Sequence, residues 1–188
     1  MNSRVLPWII AGVLLVGAGI VVALEPSEQL SQGPFVVDVG IGEQGSGRNI
    51  EATIHDVRVA EQVELDTSEG WTGETEGVWV VADVTAQSIL DSAGVQGFLL
   101  VGDYEFRGSE RLDTDGLESA VLSPGIPVTG ALVFEIPRDL LAQAHSARVM
   151  VGLSADWRLD SIIATTVDLS SITVAASTPV SPVNRVAP

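Results

Sequence analysis

The chain has 188 residues, among them nine arginines, twenty-five acidic residues, no lysine and no cysteine, for a formal charge of −16. The missing lysine excludes Schiff-base and P-loop chemistry, and the missing cysteine excludes disulfides, thiolate metal sites, thiol nucleophiles and a lipoprotein anchor. So acidic a chain repels a phosphate backbone, which argues against nucleic acid as a partner.

After a short N-terminus, residues 1–4, the stretch VLPWIIAGVLLVGAGIVVAL (residues 5–24) carries no charge. Twenty helical residues at about 1.5 Å each span roughly 30 Å, the hydrocarbon thickness of a bilayer. Arg4 precedes the run and Glu25 and Glu28 follow it. The positive-inside rule then keeps the N-terminus in the cytoplasm and exports the rest, with Trp8 at the interface. The expectation is an uncleaved signal anchor crossing the lipid bilayer through residues 5–24. The competing reading is a signal peptide cut after Ala23. Against it stand the length of the apolar run and the lack of a polar stretch before the cut.

Residues 25–33, EPSEQLSQG, read as a stalk. Beyond Leu24 eight arginines face twenty-five acids, a formal −17. That charge pushes an exported domain off anionic headgroups rather than laying it flat on them.

From Pro34 the apolar residues alternate with period two. Phe35, Val37, Val39 and Ile41 make one such run, and Ile50, Ala52 and Ile54 another. The phase then slips near Asp56, placing Val57 and Val59 inward, as a β-bulge would. Val78 to Ala86, VQGFLLVG (residues 95–102), LESAVL (117–122), Val128 to Ile136, ARVMVGL (147–153) and IIATTVDLSSITVA (162–175) continue the series. Seven or eight strands with turn signals between them predict an all-β, antiparallel sandwich of immunoglobulin type over residues 34–176. One short helix is predicted at 138–145, with His145 at its C-terminal end, where a partly charged imidazole meets the helix dipole. The tail, residues 177–188, is Pro-rich and without apolar period, and predicts disorder or a polyproline-like course.

The segments GVWVVADVTAQS (77–88), FLLVGDYEFRGS (98–109) and LSPGIPVTGALVFEIP (122–137) resemble a family of uncharacterised bacterial extracytoplasmic domains with a telokin-like, immunoglobulin-like fold. Leu122, Pro124, Gly125, Gly130, Leu132, Val133, Phe134, Ile136 and Pro137 carry most of the likeness, and Tyr104 adds to it. Ala86-Gln87-Ser88 stands where such domains often have an asparagine. The resemblance implies a fold and brings no catalytic residues with it. In physical terms Pro124 and Gly125 make a turn, Gly130 admits a close neighbour, and Leu132 and Phe134 fill a core.

Several residues invite a chemical reading. His55 and Asp56 are adjacent, but successive strand residues face opposite sides, so they form no dyad unless the bulge turns them. No G-x-S-x-G elbow is present in the sequence. Asp113, Asp115 and Glu118 in LDTDGLES are candidate oxygen ligands for calcium; the plainer reading is a solvated Asp-Gly turn. The acidic segment EQVELDTSEGWTGETEG (61–77) reads as a long loop that docks a partner through Trp71 as its aromatic anchor. Its alternative is a mobile loop whose tryptophan folds back on the core. Trp79, on the outward side of its strand, is a second interaction candidate, and either it or Trp157, placed in a loop, could belong to an exposed patch; the plainer reading for both is packing at the core edge.

The sequence as a whole therefore predicts no catalytic residues and no cofactor. It predicts a single-pass protein of the bacterial cytoplasmic membrane with its C-terminal domain on the extracytoplasmic side. That domain reads as a non-enzymatic interaction module, an accessory subunit of a larger envelope membrane complex. A ligand- or calcium-binding domain is the second reading, and an envelope hydrolase the third.

Overall fold

The computed structural model describes residues 6–24, 33–67, 70–154 and 156–185. The expected N-terminus, the stalk up to residue 32 and the last three residues lie outside them. The chain divides into two units, Met1–Gly33 and Pro34–Pro188.

The first unit contains a helix, α1 (Leu6–Leu24), of nineteen residues without a charge. The side chains described in it, all between Pro7 and Ile20, are exposed. Among the described residues no helix is long and apolar enough to cross a membrane. The expected span of 5–24 begins and ends beyond the side chains described.

The second unit is a two-sheet β-sandwich. In the first sheet the order is β1 (Phe35–Asp38), β11 (Ser161–Asp168), β10 (Ser146–Gly152), β6 (Gln96–Val101) and β7 (Tyr104–Arg107). In the second it is β12 (Val174–Val180), β3 (Ile50–Leu65), β4 (Thr72–Ser88), β9 (Val128–Ile136) and β13 (Asn184–Arg185), with β2 (Gln44–Ser46) beside the first half of β3. A two-stranded pair, β5 (Ala93–Gly94) and β8 (Val121–Leu122), lies apart from both. Pairing is mostly antiparallel, as expected. Two edge pairs depart from that expectation: β1 with β11 and β12 with β3 run parallel.

Inward residues of both sheets meet in one core, with Ile54, Val80 and Phe134 from one and Leu99, Val149 and Ile163 from the other. The predicted phase slip is a real bulge, a register shift between Ile54 and Asp56 opposite β4. A second shift, between Ala60 and Gln62, follows it. Pro124-Gly125 makes the expected turn, with Gly125 at φ 71°, where a side chain is disfavoured. At Gly130 the Cβ of Leu117 and the side chain of Val183 close in, as expected of a glycine that admits a neighbour. The predicted helix is α2 (Arg138–Gln143).

Four expectations need correction. The run 162–175 is two strands in different sheets, because the chain turns at Leu169–Ser171 between β11 and β12. Residues 61–77 are a hairpin rather than a loop: β3 runs on to Leu65 and β4 begins at Thr72, with Gln62 opposite Glu74 and Glu64 opposite Thr72. Residues 117–119 form a 3-10 turn instead of a strand. The tail is ordered through Arg185, because Ser177 to Val180 extend β12 along β3 and Asn184 and Arg185 pair with β9. Thr178 and Val180 are buried there. The composition misled because a proline is compatible with an edge strand, and Pro179 occupies one.

Candidate functional site

The second shift in β3 changes which face its apolar residues serve. Val59 points into the inter-sheet core, whereas Val63 and Leu65 join Trp79, Val81, Ala131 and Val133 in a separate cluster on the outer face of the second sheet. That face is roofed from the β9 edge. Ser109 N donates to Val133 O at 2.7 Å, and the 3-10 segment Glu110–Asp115 then crosses, setting Leu112 on the cluster. Past Gly116 the chain turns back, and Leu117 enters the inner core. One segment thus wraps the sheet edge and seals both faces.

Trp79 is 0 % exposed, and its indole N–H donates to Gly73 O at 3.1 Å. It faces outward from β4 as expected, but it is covered and offers no surface to a partner. Trp71 is half-buried and packs against the same cluster, so the folded-back alternative describes it better than a protruding anchor. It lies flat because residue 73 is glycine; a Cβ there would press on Trp71 Cη2 and sit 2.8 Å from Val63 Cγ2.

Arg111, which the sequence did not single out, holds the two indoles. Its guanidinium lies 5.8 Å from the Trp71 ring and 5.1 Å from the Trp79 ring, within cation–π range. Nη1 also donates to Glu74 O at 2.8 Å and to Glu135 Oε1 at 3.1 Å. The outcome is a half-exposed platform of Trp71 and Arg111 set among Glu64, Glu74 and Glu135. Aromatic and arginine side chains of this kind dominate binding surfaces.

The three candidate metal ligands are not gathered. Asp113 and Glu118 line one cleft of about 420 Å³, together with Arg107, Ser109 and Glu110. Asp115 is outside it, and its carbonyl accepts from Val183 N. Among the described residues no group of three or more acidic or histidine side chains is placed to hold a metal ion. Glu118 Oε1 instead accepts from Gly97 N at 2.8 Å. Burial pushes the Glu118 carboxyl above its ordinary value; the Gly97 N–H opposes the shift and Glu110 adds to it.

The bulge leaves both His55 and Asp56 exposed, yet they are engaged separately. His55 Nε2 is 2.8 Å from Thr85 Oγ1, which is 2.8 Å from Thr129 Oγ1. Asp56 and Asp83 both accept from Arg58, whose Nε donates to Thr178 Oγ1. This arginine cluster was legible in principle, since Asp56 and Arg58 lie two apart on a strand and share a face. Trp157 is half-buried and packs on Phe98 with ring centroids 4.4 Å apart and planes tilted by 40°, over a small outer cluster of the first sheet that includes Met150 and Ile162.

These features define a β-sandwich domain with covered outer faces. In fold the chain is similar to an uncharacterised β-sandwich protein of Clostridium difficile, with a TM-score of 0.52 at 11% identity over 77% of this chain and 100% of that one. It is also similar to the yjhA protein of Bacillus subtilis, with a TM-score of 0.46 at 18% identity over 67% and 98% of the two chains. The first likeness is one of fold alone. No protein-family model matches the chain, and no curated protein matches it in sequence.

Proposed function

We propose that the protein is a single-pass membrane protein that displays its sandwich outside the cytoplasmic membrane and holds a membrane-protein partner there as an accessory subunit. The observation that carries this reading is the uncharged run of twenty residues, 5–24, in the sequence ahead of a separately packed, acidic β-domain. A helix over all twenty of those residues rises roughly 30 Å, the hydrocarbon thickness. Arg4 before the helix and the acids after it support export of the sandwich. The immunoglobulin-like, telokin-like family is part of the same proposal, resting on the motif from Leu122 to Pro137. The role is to hold rather than to transform. Of the polar groups the sequence singled out, His55 and Asp56 are hydrogen-bonded to different partners, and the acids near Glu118 form no ligand set.

The Trp71–Arg111 platform is the contact surface this reading favours. Its acidic surround selects a basic or neutral face on the partner. The test is crosslinking in intact cells followed by purification of the full chain in mild detergent. A stoichiometric membrane-protein partner is expected, and its yield should fall with Arg111→Ala. Recovery as a lone monomer in several detergents overturns the proposal.

A further inference from the structure

At one end of the sandwich, exposed large apolar side chains collect: Phe35, Ile89, Leu90, Val121, Ile126 and Leu159. They sit on turns and strand ends that backbone hydrogen bonds tie to one another, and together they make a rim. Phe35 N donates to Asp160 O, beside Leu159. Leu90 and Leu159 line one cleft of about 370 Å³ with Arg48 and Asn49. Asn49 fastens the 89–91 turn: its Oδ1 accepts from Leu90 N at 2.6 Å and Asp91 N at 3.1 Å, and its Nδ2 donates to Asp91 O at 3.3 Å. Gly125 N donates to Ser88 O, tying in the turn that carries Ile126, and Val121 lies opposite Gly94.

Two facts separate this rim from scattered surface leucines. Leu159 takes φ 59°, a left-handed conformation that a branched apolar residue seldom adopts and that surrounding structure must hold. The charge around the Leu90–Leu159 cleft is also nearly balanced, with Arg48 and Arg158 against Asp91, Asp156 and Asp160. Asp156 and Arg158 pair at 2.6 Å, which holds the Asp156 carboxyl at about 2. The hairpin end of the second sheet instead carries Glu61, Glu64, Asp66, Glu74 and Glu76.

From this arrangement we infer that the rim is a lipid-contact surface and that the sandwich stands end-on against the bilayer interface, with Leu90 and Leu159 dipping among the headgroups. The inference rests on the membrane anchoring proposed above. Only nine residues, 25–33, separate Leu24 from the domain, at most roughly 30 Å of extended chain. That chain enters the domain at Phe35, which is itself a rim residue. An apolar rim with nearly balanced charge at its Leu90–Leu159 cleft suits an interfacial contact, and standing on it keeps the acidic hairpin end away from the headgroups. Exposed Arg48 is placed to reach lipid phosphate from beside the leucines.

The absence of cysteine makes the test direct. Single cysteines are introduced into the full chain at Leu90, Leu159, Glu64 and Leu14, labelled with a small fluorophore and reconstituted in phosphatidylcholine vesicles carrying chain-attached spin-label quenchers. Leu90 and Leu159 are 60% and 53% exposed, so both tolerate Leu→Cys without loss of packing. The expected result is strong quenching at position 14, several-fold more quenching at 90 and 159 than at 64, and a blue-shifted emission at the two rim sites. Quenching at 14 with 90 and 159 no different from 64 overturns the end-on contact while the anchor stands; cover of the rim by a protein partner or a second copy gives that result. Equal strong quenching at 64, 90 and 159 means a domain lying flat, and also overturns it. No quenching at 14 removes the anchor and this inference together.

Discussion

Replacing Gly73 by alanine tests the platform at its foundation. The new Cβ would sit against Trp71 Cη2, 2.9 Å from Cζ3 of the same ring and 2.8 Å from Val63 Cγ2. Val63 is fully buried and has nowhere to go, whereas Trp71 is half-buried and can swing toward solvent. The indole should therefore leave the sheet and lose its stacking on Arg111. Overpacking of a tight site costs about 1–3 kcal/mol. At about 2–4 °C per kcal/mol for a domain of this size, the melting midpoint should fall by several degrees. Thermal denaturation of the full chain, followed by circular dichroism, reads the loss. Emission in a background with Trp8 and Trp157 replaced by phenylalanine should show a red shift and easier acrylamide quenching. The decisive control is Gly73→Ala combined with Trp71→Ala. If the clash is with the ring, the alanine costs much less once the ring is gone, leaving the Val63 contact as the residue of the effect. A cost that is the same with and without Trp71, or no cost at all, refutes the geometry.

Deletion of residues 177–188 should destabilise the sandwich by about 3–5 kcal/mol, from the burial of Val180 and the hydrogen bonds of β12, and should promote aggregation by baring the β3 edge; an unchanged melting curve and a clean monomer by gel filtration would show that the tail is dispensable. Asn49→Ala removes three side-chain hydrogen bonds from the 89–91 turn. A loss of about 1–2 kcal/mol is expected, with new proteolytic cleavage confined to residues 88–92, and resistance equal to wild type counts against it. For Glu118 the sign follows from burial. Its folded value lies above the ordinary 4.5, so the native state binds the proton more tightly than the unfolded state does. Stability therefore falls as pH rises from about the ordinary value through the raised one, and is flat above both. Glu118→Gln keeps an oxygen for Gly97 N–H, so it should abolish that slope and melt higher than wild type at pH 7, with the advantage vanishing near pH 4; a variant less stable at pH 7 sinks the argument.

The inner core was legible because it is written locally. Alternation along β3, β4 and β9 marks one face, and a one-residue change of phase at Ile54–Asp56 has only one structural meaning when the residues on both sides stay apolar. The second shift, at Ala60–Gln62, was not legible. It transfers Val63 and Leu65 to the other face of the sheet, and their sequence neighbours, Gln62, Glu64 and Asp66, are polar residues that read as loop. The cover over Trp79 was hidden for a different reason. Leu112 and Arg111 reach it from a segment more than thirty residues away, and nothing in ERLDTD indicates a roof. The tail failed similarly, since β12 pairs with a strand more than a hundred residues earlier and its two buried residues, Thr178 and Val180, are too few to show a period.

Those hidden contacts bear on where such a domain can bind. A two-layer sandwich ordinarily alternates apolar-in with polar-out, yet VWVV in β4 and ALVF in β9 are apolar at every position. Buried on both sides, these strands lie beneath the Leu112 roof. On the first sheet Trp157 covers Phe98 in the same way. With much of both broad faces occupied by the chain itself, the surfaces left with concentrated character are the two ends and the Trp71–Arg111 platform, which borders the acidic hairpin end. One end is apolar and nearly balanced in charge, and the other carries the hairpin acids around Trp71, with Tyr104 exposed there as well. An orientation that turns the first end to lipid leaves the second facing away from the bilayer, toward whatever protein lies beyond it. For that reason the vesicle quenching and the cell crosslinking measure one geometry from opposite sides. Crosslinks mapping to the Leu90–Leu159 rim, with none near Trp71, would reverse the orientation.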